Sequence, residues 1–246
     1  MAREPVGGGR VLELTAVARS YPEGDGRRTV LEHVDVRVEP GECVAVIGPS
    51  GSGKSTLLNI ASGIDAPDAG HVVLDGVRLD ALGERARTLL RRRRVGFVFQ
   101  FFNLLPTLTV AENVRLPLEL NGVAPAVARR RAVEALAGLG LADRADAFPD
   151  RLSGGEQQRV AVLRALVHGP SVVFADEPTG NLDRDSAAAV LDLLVAAVRD
   201  HGASLLMVTH SDSAAARADR VLAMRGGALV PADPVRAAPD RPGVGS

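Results

Sequence analysis

The sequence has a single cysteine, little net charge and no long apolar segment. Cys43 alone excludes an intrachain disulfide framework and favours a reducing compartment. The formal net charge of −1 provides no global field that would draw the chain to nucleic acid or to an acidic membrane surface. On electrostatic grounds we therefore expect no nucleic-acid partner.

Signals for membrane insertion and secretion are also missing from the sequence. The most apolar stretch, AAAVLDLLVAAV at 187–198, is shorter than the roughly 18 residues that a membrane span needs, and it contains Asp192. The N-terminal residues MAREPVGGGR have no apolar core of the kind found in a signal peptide. We expect a cytoplasmic protein that needs another chain to act across a membrane.

Length and composition indicate one large domain between two tails. The chain has 246 residues, of which 46% are hydrophobic, and this is enough for a full core. Residues 1–9 and 231–246 are rich in Gly, Pro, Ala and Arg and are predicted to be flexible. The predicted domain therefore occupies residues 10–230.

Four short apolar runs end abruptly in polar residues. The runs 44–47, 95–99, 172–175 and 204–208 precede a glycine-rich loop, a glutamine, an acidic pair and a Thr-His pair. Apolar runs that alternate with helical segments are typical of a parallel sheet covered on both faces. Because ligands bind at the carboxyl ends of such strands, we expect all four polar endings in one crevice.

Other segments predict two additions to this sheet. Residues 11–40 and 70–80 alternate between apolar and polar and turn on glycines, which predicts a small antiparallel β layer. The stretch from about 103 to 155 is mostly helical and is predicted to be an inserted α-helical lobe, in which Thr109 begins a capping box and Pro117 ends or kinks a helix. The expected fold class is α/β, with a parallel-sheet core of the P-loop NTPase type.

The segment GPSGSGKST at 48–56 has the spacing of a phosphate-binding loop, or P-loop. Its glycines let successive backbone N–H groups point at phosphate oxygens, and the following helix adds its positive N-terminal end. Lys54 is expected to neutralise the β- and γ-phosphates, and Ser55 to offer its hydroxyl to Mg²⁺. The predicted nucleotide-binding residues of the loop are Gly48, Ser50, Gly51, Gly53, Lys54, Ser55 and Thr56.

Two carboxylates end the apolar run at 172–175. Asp176 suits the coordination shell of Mg²⁺, and Glu177 can face an attacking water as a general base. The alternative is a surface acidic pair that terminates a strand. The P-loop in the same chain favours the functional interpretation.

The segment LSGGEQQRV at 152–160 has two interpretations. Ser153 followed by Glu156 forms a capping box that opens a helix predicted at Gln157–Val167. Gly154 and Gly155 cost backbone entropy without helping that helix, but they would let a phosphate approach its end closely. A second anion site so far from the P-loop implies another nucleotide or the nucleotide of another subunit.

Single residues elsewhere leave their alternatives open. Gln100 and His210 stand at strand ends, where the crevice argument selects them over the structural role that a lone Gln or His usually has. Tyr21, which precedes a Pro-Glu-Gly-Asp-Gly turn, either stacks on a base or packs as an ordinary aromatic. The arginine runs 91–94 and 129–131 are interpreted as solvated helix faces, with docking to a partner as the alternative.

Together these residues resemble the nucleotide-binding subunit of an ATP-binding cassette (ABC) transporter, from about Val11 to Val230. The matching motifs are the P-loop, Gln100 as the Q-loop, the signature at 152–160, the pair Asp176–Glu177, Asn181-Leu182-Asp183 as the D-loop and His210 as the H-loop. Tyr21 falls where the family has an aromatic residue that stacks on adenine. The resemblance therefore implies ATP and Mg²⁺ as ligands.

The resemblance also implies roles that the residues alone do not give. Two copies would pack head to tail, so that the signature segment of one covers the γ-phosphate held by the P-loop of the other. Gln100 would sense Mg²⁺ and the γ-phosphate, His210 would contact the γ-phosphate and the lytic water, and Asp183 would communicate across the dimer. ATP binding would close the pair, and its movement would reach a permease through the lobe that follows Gln100.

Within the family, FVFQFFNLLPTLTVAENVRLPLEL and FADEPTGNLD are similar to the subgroup of macrolide exporters, lipoprotein-releasing complexes and FtsE-like proteins. That subgroup implies a peripheral ATPase at the cytoplasmic face of the cell membrane, driving export or extraction through a separate FtsX-like permease with few spans and a large external domain. One departure is Val162-Leu163-Arg164, where smaller residues are more usual before the arginine.

Two other functions remain as alternatives. The ATPase could instead be part of a mechanotransmission complex that activates an external cell-wall enzyme and transports nothing. A soluble cassette acting on DNA or ribosomes is disfavoured, because the long coiled coils, tandem cassettes and positive charge of such proteins are missing from this sequence.

Overall fold

The computed structural model describes residues 10–24 and 26–232 of the chain. The tail predicted at 1–9 and most of the tail predicted at 231–246 lie outside the described residues. The strands in chain order are β1 (Leu12–Glu23), β2 (Gly26–Val38), β3 (Cys43–Ile47), β4 (Ala69–Leu74), β5 (Val77–Arg78), β6 (Val95–Phe99), β7 (Val172–Asp176), β8 (Ser204–Thr209), β9 (Arg220–Arg225) and β10 (Ala228–Ala232). The α-helices are α1 (Lys54–Ala61), α2 (Glu84–Arg94), α3 (Val110–Leu120), α4 (Pro125–Gly138), α5 (Gly154–Leu166), α6 (Arg184–Asp200) and α7 (Asp212–Ala215).

A six-stranded sheet with the order β10-β9-β3-β8-β7-β6 forms the centre of the molecule. All neighbours from β9 to β6 pair in parallel, and only β10 runs antiparallel to its neighbour. Strand β8 is buried at every position, as expected for an aliphatic strand with both faces covered. The predicted parallel core is confirmed, and the carboxyl ends of β3, β6, β7 and β8 share one edge of the sheet.

The antiparallel layer is a separate four-stranded sheet with the order β2-β1-β4-β5. It covers α1 and one face of the parallel sheet, and the three share a hydrophobic core that includes Leu14, Val34, Leu57, Val208 and Met224. This arrangement places β1 and β2 beside the helix that follows the P-loop. The predicted antiparallel β layer is therefore confirmed.

The helical lobe consists of α3 and α4 packed on the first half of α5, around a core that includes Val114, Leu136 and Val160. Its first helix begins with the predicted capping box, in which the Glu112 N–H donates to the Thr109 hydroxyl at 3.3 Å and the Thr109 N–H donates to the Glu112 carboxylate at 2.9 Å. Pro117 does not end this helix, which continues to Leu120.

Helix α5 joins the lobe to the central sheet through an unusually close contact. A Cβ atom on Gly96 in β6 would lie 2.3 Å from the Ala165 carbonyl oxygen. Only glycine allows the helix to lie this close to the strand. The contact fixes α5, which begins in the signature segment, relative to β6, which ends next to Gln100.

The C-terminal part of the described chain forms a hairpin that the sequence did not predict. Strands β9 and β10 pair in antiparallel register, from Ala228 with Arg225 to Ala232 with Val221. The hairpin extends two residues past the boundary predicted at residue 230. No helix within residues 10–24 and 26–232 is long and apolar enough to cross a membrane.

Candidate nucleotide-binding site

The P-loop connects β3 to α1 and has the backbone that its glycines predict. Gly51 and Gly53 have φ angles of +75° and +104°, which favour glycine. A Cβ on Gly53 would also lie 2.9 Å from the Val30 carbonyl oxygen, whereas a Cβ on Gly51 would meet nothing within 4 Å. The loop therefore packs closely against β2 at Gly53, whereas Gly51 faces the cleft.

Lys54 is the first residue of α1 and is 7% exposed. Its Nζ donates to the carbonyl oxygens of Gly48 at 2.7 Å and Pro49 at 3.0 Å, so the ammonium is held across the loop that precedes it. The same Nζ lies 4.0 Å from Oε1 of Glu177. A buried cation at a helix N-terminus, facing into a cleft, is a strong attractant for phosphate.

Ser55 and Asp176 lie together beside this lysine. The Ser55 hydroxyl is hydrogen-bonded to the Asp176 carboxylate. Burial raises the pKa of Asp176, and the neighbouring Glu177 charge adds to the rise, while the Ser55 bond and Lys54 oppose it. A desolvated carboxylate next to a hydroxyl supplies the hard oxygen ligands that Mg²⁺ prefers, and a dication would relieve the cost of ionising Asp176 there. These residues therefore fit a magnesium ion.

Glu177 follows β7 in a strained backbone conformation, with φ +45°. Its N–H donates to the Val208 carbonyl at 3.0 Å, which ties the turn to the neighbouring strand β8. Oε2 of Glu177 accepts from the His210 N–H at 3.1 Å and lies 2.9 Å from His210 Nδ1. Non-glycine residues with positive φ cluster at functional sites, where the surrounding structure holds the strain.

Gln100 follows β6 and is joined to the D-loop by two hydrogen bonds. Its Nε2 donates to Asn181 Oδ1 at 3.2 Å, and Asn181 Nδ2 donates to the Gln100 carbonyl at 3.0 Å. A Cβ on Gly180 would lie 2.8 Å from Gln100 Nε2, so the glycine leaves room for this side chain. The Gln100 side chain is thus held beside the loop that leads to Asp183.

One cleft of about 500 Å³ brings most of these groups together. It is lined by Ser50, Gly51, Lys54, Ser55, Phe99, Gln100, Phe101, Asn103, Asp176, Glu177 and His210. The polar endings of β3, β6, β7 and β8 therefore meet in one crevice. A second cavity of about 270 Å³, on the other side of the P-loop, is lined by Tyr21, Arg28, Val30, Gly51, Gly53, Lys54, Ser55 and Thr56.

The signature and D-loop residues do not line either cavity. Ser153 caps α5, and its side chain accepts a hydrogen bond from the Glu156 N–H at 3.3 Å, so the capping-box interpretation is confirmed. Gly154 and Gly155 form the first turn of this helix, which begins three residues before the predicted position 157. Asp183 caps α6 in the same way, accepting from the Ser186 N–H at 3.0 Å.

One buried and one half-buried polar residue of α5, Gln158 and Arg164, hold the backbone next to the cleft and were not selected by the sequence analysis. Gln158 donates to the carbonyls of Pro178 at 2.5 Å and Phe99 at 3.4 Å, which links the segment after Glu177 to the end of β6. Arg164 donates to the carbonyls of Asn103 at 2.5 Å and Phe102 at 2.9 Å, and burial lowers its pKa. The available signal was a polar residue within the apolar stripe of a helix, because Gln158 shares its helical face with buried alanines and valines.

Comparison with known proteins gives a consistent family. Residues 31–180 match the family model described as ABC transporter. An uncharacterized ABC transporter ATP-binding protein of Mycobacterium tuberculosis is 52% identical over 232 residues, covering 94% of this chain and 92% of the relative. The lipoprotein-releasing system ATP-binding protein LolD of Paramagnetospirillum magneticum is 48% identical over 219 residues, covering 89% of this chain and 97% of the relative.

Solved structures agree with these relatives. The ATP-binding cassette MJ0796, in a dimeric post-hydrolysis state bound to ADP and Pi, superposes with a TM-score of 0.81 at 37% identity, covering 89% of this chain and 96% of that one. The P-loop and the acidic end of β7 lie within the residues that match the family model. This chain therefore belongs to the ABC transporter family, as an ATP-binding subunit with the fold of an ABC ATPase.

Proposed function

We propose that this ABC ATPase works as a head-to-tail homodimer that hydrolyses ATP and drives a separate membrane permease. The observation that carries this proposal is the convergence of Lys54, Asp176, Glu177 and His210 on one cleft at the P-loop.

The P-loop binds the triphosphate. Backbone N–H groups of the loop, including those of Gly51 and Gly53, face the phosphates, and the N-terminus of α1 adds its partial positive charge. The Lys54 ammonium turns from the carbonyls of its own loop to the β- and γ-phosphate oxygens. Ser50 and Thr56 complete the polar wall of the two cavities that meet at this loop.

Ser55, Asp176 and Gln100 are the residues that would hold Mg²⁺. When bound, the ion would neutralise developing charge on the phosphate oxygens. Asp176 contributes a carboxylate that burial has already made costly to ionise alone. Gln100 supplies an amide oxygen at the same side of the cleft, on a segment that leads directly into the helical lobe.

Glu177 is the proposed general base. Its backbone strain and its two contacts with His210 aim the carboxylate at the space beside the P-loop. The base removes a proton from water as the water attacks the γ-phosphate. His210 orients the carboxylate and contacts the γ-phosphate from the end of β8.

The second half of each site comes from another copy of the chain. Ser153, Gly154 and Gly155 form the N-terminus of α5 and do not line the cleft of their own chain, and neither does Asp183, which caps α6. Two copies in head-to-tail arrangement would place each signature segment over the γ-phosphate of the other. The dimeric state of the similar cassette MJ0796 supports this pairing.

The permease would dock on an apolar groove between β6, α3 and α5. The groove has a volume of about 390 Å³, and its apolar lining includes Phe97, Leu105, Leu116 and Leu120. It lies immediately behind Gln100, so a change at the γ-phosphate can be passed to whatever occupies the groove. Docking there would make the protein peripheral at the cytoplasmic face of the membrane.

The substrate direction is proposed from the relatives. Those named as lipoprotein-releasing ATPases favour export or extraction through an FtsX-like permease. Mechanotransmission without transport would use the same cassette and a different membrane partner. The identity of the partner, rather than any residue of this chain, separates these two functions.

The test is isolation of the chain from gently solubilised host membranes, with identification of bound proteins by mass spectrometry. We expect an integral membrane protein with few spans and a large external domain. A Leu120→Glu variant should lose it, since Leu120 is 52% exposed in the groove, whereas the matched Val133→Glu variant on α4 should retain it. A chain found only in the soluble fraction, with nucleic acid or ribosomes attached, would contradict the proposal.

A further inference from the structure

The only tyrosine of the chain is held by a hydrogen bond that the proposed function does not use. Tyr21 lies on β1, in the wall of the cavity that also contains Gly53 and Thr56 of the P-loop. Its hydroxyl donates to Oδ2 of Asp65 at 2.9 Å. One face of the ring is covered by the Arg19 guanidinium, whose Cζ lies 4.8 Å from the ring centroid.

Asp65 is itself fixed by several partners. Arg19 Nη2 lies 2.9 Å from Asp65 Oδ2, and the Ala66 N–H donates to Asp65 Oδ1 at 2.8 Å. The backbone N–H of Asp65 donates to the Asn59 carbonyl at 3.1 Å, on the last turns of α1. The carboxylate that holds the tyrosine is therefore anchored to the helix that begins at Lys54.

This connection sets the distance between the tyrosine ring and the P-loop. Helix α1 runs from Lys54 to Ala61, and at about 1.5 Å per residue it is a rigid spacer of roughly 12 Å. The phosphates would lie at its N-terminus, and Asp65 lies just beyond its C-terminus. With the Tyr21–Asp65 bond in place, the ring cannot move along the cavity without moving α1 as well.

A purely structural role for Asp65 is already filled by its neighbour Asp68. Asp68 accepts from the Ser20 N–H at 2.8 Å, from Arg19 Nη1 at 2.9 Å and from Arg27 Nη2 at 3.0 Å. These bonds attach the loop between α1 and β4 to β1 without Asp65. Of these two aspartates, only Asp65 contacts the tyrosine hydroxyl.

We propose that Asp65 is a positioning residue for the nucleotide base, which fixes the Tyr21 ring at a set distance from the P-loop before ATP binds. The inference rests on the proposed function, since it requires a nucleotide in the cleft. The base stacks on the ring face opposite Arg19. Pre-fixing the ring lowers the entropy cost of stacking and favours a base that reaches the ring while its phosphates lie at Lys54.

The test compares Asp65→Ala, Asp65→Asn, Tyr21→Phe and the double variant Tyr21→Phe/Asp65→Ala. Asp80→Asn is the matched control, because Asp80 pairs with Arg78 on the same antiparallel sheet, away from the cavity. For each variant the KM and kcat for ATP are measured, together with inhibition by tripolyphosphate, which has no base. Far-UV circular dichroism melts establish that every variant is folded.

We expect Asp65→Ala and Tyr21→Phe each to raise the KM for ATP by about 3- to 10-fold, the range set by ordering one side chain on binding. The kcat and the tripolyphosphate inhibition constant stay at wild-type values. Asp65→Asn keeps an acceptor oxygen and has a smaller effect. Because both residues act through one bond, the double variant is no worse than either single variant.

The single tyrosine gives an independent optical readout. Since the chain has no tryptophan and one tyrosine, its intrinsic emission reports on Tyr21 alone. The Asp65→Ala variant should differ from wild type in this emission before nucleotide is added. In this variant, ATP should change the emission further only at concentrations near its raised KM. The Asp80→Asn control should behave as wild type.

Several results would overturn the inference. A KM that Asp65→Ala leaves unchanged, additive effects in the double variant, or an equal loss of tripolyphosphate affinity would each show that Asp65 does not act through the base. Those results, obtained with a wild-type chain that hydrolyses ATP, leave the proposed function intact. A wild-type chain with no ATP turnover in its complex would instead remove the proposed function, and the inference with it.

Discussion

Replacing Glu177 with glutamine tests the proposed general base with the smallest change in shape. The amide retains an oxygen that can accept from the His210 N–H, now 3.1 Å from the carboxylate. It cannot take a proton from water. The cleft geometry and the hydrogen bond from Glu177 N–H to Val208 should therefore survive, while the chemical step fails.

The expected size of the effect follows from the role. A positioned general base is typically worth about 10²–10⁴-fold in rate, which corresponds to about 3–5 kcal/mol of activation free energy. Nucleotide affinity should stay equal or become tighter, because a negative charge 4.0 Å from Lys54 Nζ no longer competes with the γ-phosphate. Loss of that charge also removes one contribution that raises the pKa of Asp176.

Steady-state phosphate release and equilibrium binding of ATP, measured on the same preparations, separate the two effects. Size-exclusion chromatography with ATP should show the variant accumulating as a dimer that wild type forms only transiently. Glu84→Gln is the matched control, since Glu84 is exposed on α2 and pairs only with Arg87 among the described residues. The loss expected for a general base is much larger than threefold. A Glu177→Gln variant with turnover within about threefold of wild type would therefore refute the assignment.

Three further predictions concern other parts of the molecule. Ser153→Arg, at the exposed N-terminus of α5, should abolish steady-state hydrolysis while titration with a fluorescent nucleotide shows unchanged binding; lost binding would contradict the role in trans. Gly96→Ala places a Cβ 2.3 Å from the Ala165 carbonyl oxygen and should lower the free energy of unfolding, measured in urea, by about 3 kcal/mol. In the control Gly138→Ala, the added Cβ has no atom within 4 Å, and the change should stabilise α4 by up to about 1 kcal/mol. Because the pKa of Asp176 is raised in the metal-free fold, this carboxyl favours folding as pH falls through the raised pKa. The free energy of unfolding, measured in EDTA, should therefore change with pH over that interval in the wild type and less in Asp176→Asn; identical pH profiles would argue against it.

The parallel strands were predictable because a strand buried on both faces is a continuous apolar run in the sequence. A strand such as β8 must be apolar throughout, and it must turn polar where it reaches the ligand edge, as Thr209 and His210 do. The start of α1 at Lys54 followed from the glycine loop, and the start of α3 followed from the capping box of Thr109. These features depend on residues that are neighbours in sequence.

The hairpin of β9 and β10 was missed for a physical reason. The segment from residue 231 was predicted to be a tail because it is rich in Gly, Pro, Ala and Arg, and proline cannot donate to a sheet ladder. Strand β10 is at the edge of the sheet, where proline costs little, and it pairs with β9 alone within the parallel sheet. Only the order of the strands shows that this segment is an edge, and that order is not recorded in local sequence.

Contacts between residues far apart in the chain could also not be predicted from the sequence. The bond between Gln100 and Asn181, and that between Tyr21 and Asp65, join residues far apart in the chain through strand order and loop geometry. Gln100, Asn181 and Tyr21 were each selected from motifs, but the contact between Gln100 and Asn181 was not predicted, and Asp65 was not selected at all. Their partners could be recognised only when the structure placed them within hydrogen-bonding distance.

The exposure of the cleft supports the proposal that one copy of the chain holds half of a catalytic site. The His210 side chain is 68% exposed, whereas the Glu177 side chain beside it is 15% exposed, so in a single chain the cleft is open to water on the side of His210. Exclusion of bulk water strengthens every charge interaction at the γ-phosphate, and no surface of the described chain closes over this cleft. The same chain has the N-terminus of α5 at the exposed residue Ser153, where the helix dipole favours an anion. A two-fold pairing would bring this helix end over the cleft of the other copy, which would both cover the cleft and place an anion at the helix N-terminus. Because a two-fold interface is reciprocal, both clefts would be completed in the same way.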